Sequence, residues 1–88
     1  MEKSRILSRV GKSDLIRAVP IVELAGRNRL LIENHQGVLG YSLEEIRVKV
    51  QYGCVCITGC DLRLMQMSKE RLVICGRVDT VQFLGGSV

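Results

Sequence analysis

The chain has 88 residues, 47% of them hydrophobic and 25% charged, with a formal net charge of +4. That length holds one small domain with a thin core, and the supply of Val, Ile and Leu excludes a disordered chain. One Pro, no Trp, two Tyr and one Phe leave no large aromatic anchor and little for stacking nucleic-acid bases.

The first residues read differently from the rest. Ile6, Leu7 and Val10 recur at helical spacing, Gly11 interrupts them, and Ser13-Asp14 can restart a short helix carrying Leu15, Ile16 and Val19. Lys3, Arg5, Arg9, Lys12 and Arg17 outnumber Glu2 and Asp14. Such a cluster usually just faces water, but it also suits an anionic surface. Arg5, Ile6, Leu7, Arg9, Val10 and Lys12 could form a short amphipathic segment lying on a membrane. Pro20 ends any helix and biases Val19 to extended geometry. Residues 1–19 are therefore expected to be a basic, helical leader, residues 20–84 a β domain and residues 85–88 a flexible tail. No apolar run approaches the ~18 residues of a membrane span, and no secretory signal core is present. The expected location is cytoplasmic, with peripheral contact at a membrane.

After Pro20 the hydrophobic period falls to two. Ile21 to Leu24 reads as a strand, Gly26-Arg27-Asn28 as a turn, and Leu30 and Ile32 as the inward positions of the next strand. Asn34 to Gly37 turns the chain, and Val38, Leu39 and Tyr41 form a short return strand. Ser42 to Glu45 is a connection with Ser42 as a cap. Ile46, Val48 and Val50 then alternate with Arg47, Lys49 and Gln51. Past Tyr52-Gly53, Val55 and Ile57 continue the apolar face, and Cys54, Cys56 and Thr58 lie opposite. Gly59-Cys60-Asp61 reads as a turn. A bulge near Met65-Gln66 would restore Met67 to the face of Leu62 and Leu64. Ser68 to Arg71 is a polar turn, Leu72 to Cys75 a strand, Gly76 a bend, and Val78, Val81 and Phe83 close the pattern. The expected fold is mostly β: a small single-domain antiparallel β-barrel or β-sandwich after a helical leader. The expected core is Leu30, Ile32, Ile46, Val48, Val55, Ile57, Leu62, Leu64, Ile74, Val78, Val81 and Phe83.

Leu30-Leu31-Ile32-Glu33-Asn34-His35, Gly37-Val38-Leu39, Glu45-Ile46-Arg47, Ile57-Thr58-Gly59 and Val78 through Phe83 occur in unbroken order across about residues 20–84. In that order and spacing the chain resembles the YabP/YqfC family of sporulation proteins, the YqfC branch most of all. The resemblance implies a small, soluble, non-enzymatic β protein acting in endospore formation, often encoded beside a membrane partner of the YqfD or YabQ type. Protein partners are accordingly a YqfD-type membrane protein, a second copy of the chain, or both. Cys54, Cys56, Cys60 and Cys75 stand where relatives typically carry polar or charged residues, so the resemblance assigns those thiols no role.

The cysteines read by themselves favour reduced, small apolar filler. Cys-x-Cys-x-x-x-Cys is not the Cys-x-x-Cys knuckle that structural zinc prefers, so no metal and no other cofactor is expected. Thiols at Cys54 and Cys56 make the face opposite Val55 and Ile57 less polar than a solvated one, and a partner could cover it. His35 is the sole histidine. Glu33-x-His35 lacks a neighbouring nucleophile, so a turn or a contact loop fits better than catalysis. The glycines punctuate strands without forming a phosphate cradle. The candidate partner-binding residues are Glu33, Asn34, His35, Arg47, Lys49, Cys54, Cys56 and Cys75. The alternative function is nucleic-acid binding through Arg47, Lys49 and the basic leader, which would show a steep salt dependence.

Overall fold

The computed structural model describes residues 19–85. They form six strands: β1 (Ile21–Ala25), β2 (Arg29–Glu33), β3 (Val38–Tyr41), β4 (Glu45–Val50), β5 (Gly53–Met67) and β6 (Arg71–Gly85). All pairings are antiparallel, in the spatial order β1-β2-β6-β5-β4-β3. The mostly antiparallel β class follows the period-two pattern. The architecture is a single open sheet, neither a barrel closed by strand pairing nor two separate sheets. Residues 1–18 of the expected leader and 86–88 of the expected tail lie outside the described residues, and Gly85 ends β6, paired with Gly53.

Two long strands replace four expected short ones. The expected turn at Gly59-Cys60-Asp61 and break at Gly76 are irregularities inside β5 and β6, where the register shifts between Thr58 and Gly59 and again between Cys60 and Arg63. An extra residue in one strand bends a ladder without ending it. Thr58 pairs with Thr80 and Gly59 with Val78, so Asp79 is the unpaired residue that brings Val78 and Val81 to one face. The expected bulge near Met65 is present between Leu64 and Gln66, but Met67, at the end of β5, is 58% exposed and does not rejoin the core.

Bending frees backbone groups that need partners. The turns on either side supply them. Gly59 and Leu62 donate their N–H groups to the carbonyls of Glu44 (3.0 Å) and Leu43 (2.8 Å), in the β3–β4 turn. Gly76 and Val78 donate to Asn28 (3.2 Å) and Arg27 (2.8 Å), in the β1–β2 turn. The long hairpin is thus held bent from both flanks.

The bend folds one half of the sheet over the other. Between them lie Leu30, Ile32, Ile46, Val48, Val50, Val55, Ile57, Leu62, Leu72, Ile74 and Val78. Nine of these side chains are fully buried, which a flat, one-layer sheet could not achieve. Leu64 and Val81 pack against this core half-buried. Phe83, an expected core residue, is 58% exposed. It pairs with Val55 near the end of β6, and the folded-over half does not cover it. Leu72 and Val73 are buried although the alternation did not single them out.

Candidate interaction surfaces

The candidate residues fall at three places. Glu33, Asn34 and His35 form the corner where the chain leaves β2 for β3. Arg71 pairs with Glu33 at 2.9 Å. Asn34 takes a left-handed backbone (φ 65°), which its short polar side chain tolerates. Its N–H donates to the Glu70 carbonyl at 2.8 Å and its Nδ2 to the Val19 carbonyl at 2.7 Å. Next along the chain, Gln36 donates to the Lys49 carbonyl and Lys49 to the Gly37 carbonyl, tying the corner to β4.

His35 is buried at this corner. The Gly37 N–H donates to Nδ1 at 3.0 Å, so Nδ1 is the acceptor and Nε2 carries the hydrogen that reaches the Ser68 carbonyl at 2.9 Å. Both ring nitrogens are occupied, and the ring clips the corner to the tip of the β5–β6 hairpin. Replacing His35 with Ala should therefore cost about 2 kcal/mol, because a backbone donor and acceptor lose their partner in a part-buried place. Urea denaturation checks this, and a change below about 0.5 kcal/mol would show that the clip contributes little.

Arg47, Lys49, Cys54 and Cys56 share the face of β4 and β5 that points away from the core. The register sets Arg47 opposite Cys56 and Lys49 opposite Cys54. At this place the Cys56 thiol donates to Glu45 Oε2 at 2.9 Å, and Arg47 Nε lies 3.2 Å from the same oxygen. The thiol hydrogen bond first, and Arg47 second, hold the Glu45 carboxyl below its ordinary value of 4.5. The same hydrogen bond, then burial, push the Cys56 thiol above its ordinary 9.0. Cys56 is thus a hydrogen-bond donor held away from the nucleophilic thiolate form.

The sign of each shift defines a pH window. The depressed Glu45 carboxyl favours the folded state above its ordinary range, and that contribution is lost on acidification. The raised Cys56 thiol favours it below 9.0, and that contribution is lost in alkali. Alkylation at pH 8 should modify exposed Cys60 first and buried Cys56 last. Peptide mapping of a time course reads the order, and early modification of Cys56 in folded protein would contradict it.

Cys75 sits elsewhere, on β6 between Arg29 and Arg63 as its cross-strand neighbours. The four thiols are free. Among the described residues no group of three or more His, Cys, Asp or Glu side chains is placed to hold a metal ion. Arg5, Ile6, Leu7, Arg9, Val10 and Lys12 lie outside the described residues. No helix among the described residues is long and apolar enough to cross a membrane.

Several exposed apolar side chains lie outside the candidate residues. Leu39, Tyr41 and Leu43 stand along β3 and its turn, and Met65 and Met67 at the end of β5, all at least half exposed. Tyr52, Phe83 and Leu84 are exposed where β4 turns into β5 beside the end of β6. The signal was legible as an uncharged run from Gly37 to Leu43, but alternation alone cannot tell an edge strand from a central one.

A family model described as the YabP family matches residues 18–88. The chain is 28% identical over 71 residues to the uncharacterized protein YqfC of Bacillus subtilis (strain 168), covering 81% of this chain and 76% of that protein. No solved structure matches.

Proposed function

The chain belongs to the YabP family, and from that premise we propose that it is a non-enzymatic interaction and assembly module of endospore formation. Its partner is a YqfD-type membrane protein, a second copy of the chain, or both. The observation that carries this reading is the open sheet, which leaves apolar side chains exposed along an unpaired strand edge. A strand edge binds through main-chain hydrogen bonds, with alternate side chains giving selectivity. The thiol-bearing face with Arg47 and Lys49 is a second contact surface.

In this reading the protein works in the cytoplasm of a sporulating cell, at the membrane that carries its partner. The basic leader assists recruitment, since each cation near an anionic surface contributes at most ~1 kcal/mol. Deleting residues 1–18 should leave the melting temperature nearly unchanged and reduce sedimentation with anionic vesicles. Failure of the truncated chain to fold would make the leader part of the core.

The test is capture. Full-length protein immobilised through a terminal tag is mixed with detergent-solubilised YqfD-type partner and, separately, with single- and double-stranded nucleic acid. Retention of the partner at moderate salt supports the module. Retention of nucleic acid alone, with affinity falling steeply as salt rises, replaces it with the nucleic-acid reading.

A further inference from the structure

Most of the open strand edges carry a device against pairing. β1 follows Pro20 and has Glu23 at its middle. β3 is short and bulged between Val38 and Gly40. The end of β5 carries Arg63 and a bulge between Leu64 and Gln66. Charge, proline, shortness and bulges are ordinary means of keeping an edge from pairing. The second half of β6 is different. β2 pairs with β6 over Arg71–Cys75, and the β1–β2 turn bonds to it at Gly76 and Val78. From Thr80 to Gly85, β5 alone pairs with it among the described residues, so its other side is open. That stretch reads Thr-Val-Gln-Phe-Leu-Gly, without charge, proline or register shift.

We propose that this edge of β6 is a homodimer interface, in which two copies of the chain pair antiparallel about Gln82. The proposal rests on the interaction-module reading and names the occupant of this edge as a second copy. Antiparallel pairing of two identical strands is two-fold symmetric, so the contact closes on itself. With the axis at Gln82, Val81 lies opposite the partner's Phe83, and Phe83 opposite the partner's Val81. Both residues point to the core side, since their β5 neighbours Ile57 and Val55 belong to the core and the ladder between them is regular. Two aliphatic–aromatic cross-strand pairs therefore flank the axis on one face, the kind of pair that stabilises a sheet.

A second copy supplies what Phe83 lacks. Phe83 has the parity of a core residue and is 58% exposed, while Val81 already packs against the core. Pairing lays the partner's Phe83 beside Val81, so each core continues into the other across the new ladder. On the outward face, Gln82 meets the partner's Gln82, and the two amides can donate to and accept from each other. Thr80 meets the partner's Leu84. Charge agrees as well. Asp79 falls opposite the partner's Gly85, so no like charges meet along the paired stretch. The same operation on β1 about its middle residue would set Glu23 against the partner's Glu23, which is repulsive.

Sedimentation velocity of the full chain over a wide concentration range tests the proposal. Wild type should be a dimer. Gln82→Lys and Gln82→Glu should each weaken association at least about tenfold, because each sets like charges against one another at the axis. Mixing the two variants should restore association, since the charges opposed there are then opposite. Phe83→Lys should also weaken the dimer, and Leu39→Lys on the β3 edge should leave it unchanged. The substituted residues are exposed, so circular dichroism should match wild type. A wild-type monomer throughout overturns the proposal, as does a dimer indifferent to the Gln82 and Phe83 variants. A mixture that associates no better than its two components overturns the pairing about Gln82. If wild type is monomeric and Phe83→Lys abolishes capture of the YqfD-type partner, the edge belongs to that partner. The homodimer then falls while the interaction-module reading stands. A β6 dimer that captures no partner upholds the homodimer and removes the membrane protein from that reading.

Discussion

Gly76→Val is expected to leave the domain largely unfolded at physiological temperature. Gly76 sits in the bend of β6 with φ at +126°, a region that L side chains rarely adopt. A Cβ there would also run into the carbonyl oxygen of Asp61 on the facing strand. Strain of this sort costs about 1–3 kcal/mol, and the collision with main chain adds to it. A domain this small starts near the low end of the ~5–15 kcal/mol typical of folded proteins. Each lost kcal/mol lowers the melting temperature by about 4–8 °C at this size. A fall of at least roughly 15 °C is therefore expected in a thermal melt followed by circular dichroism. Gly40→Ala is the control, since a Cβ there meets nothing. Equal melting temperatures for the two variants would show that the bend tolerates a side chain.

Leu62→Ala should be the most damaging of the simple core truncations at the bend. Leu62 is fully buried, and its N–H is held by the Leu43 carbonyl. It lies in the bend of β5 that folds one half of the sheet over the other. Truncating a buried leucine costs about 2–5 kcal/mol, with the high end where surroundings cannot relax. Main chain closes in on two sides of this corner, around Gly59 and Gly76, so collapse is restricted. Urea unfolding should show a lower midpoint with unchanged slope. Leu62→Met, which keeps most of the volume, should cost below about 1.5 kcal/mol. A Leu62→Ala loss under about 1 kcal/mol would mean the corner is less tightly packed than described.

These two residues also mark what the sequence could and could not tell. Alternation at Leu30, Ile32, Ile46, Val48, Val55 and Ile57 located the core face, because a one-residue slip would have exposed all of it. Strand ends were less legible. Gly59 and Gly76 carry the composition of turns, and only the ladder opposite them shows that β5 and β6 pass through as bent strands. Phe83 has the right parity for the core and the wrong place along the strand. Which strands are edges depends on pairing order, so the exposure of Leu39 and Tyr41 could not be read from their own alternation. His35 was legible as part of a turn, but its clip to Ser68 spans 33 residues and leaves no local trace. Cys56 likewise looked like filler, and its bond to Glu45 depends on the β4–β5 register.

The reading of this chain as an interaction module is tested most directly by co-purification from sporulating cells. The full-length protein is tagged at its natural locus, the cells are cross-linked during spore formation, and the membrane fraction is captured and identified. A YqfD-type membrane protein should be enriched with the tagged chain. The enrichment should fall when Arg47 and Lys49 on one face, or Leu39 and Tyr41 on the β3 edge, are replaced in a folded variant. Recovery of the chain with nucleic acid and without a membrane protein, in amounts unchanged by those substitutions, would contradict it.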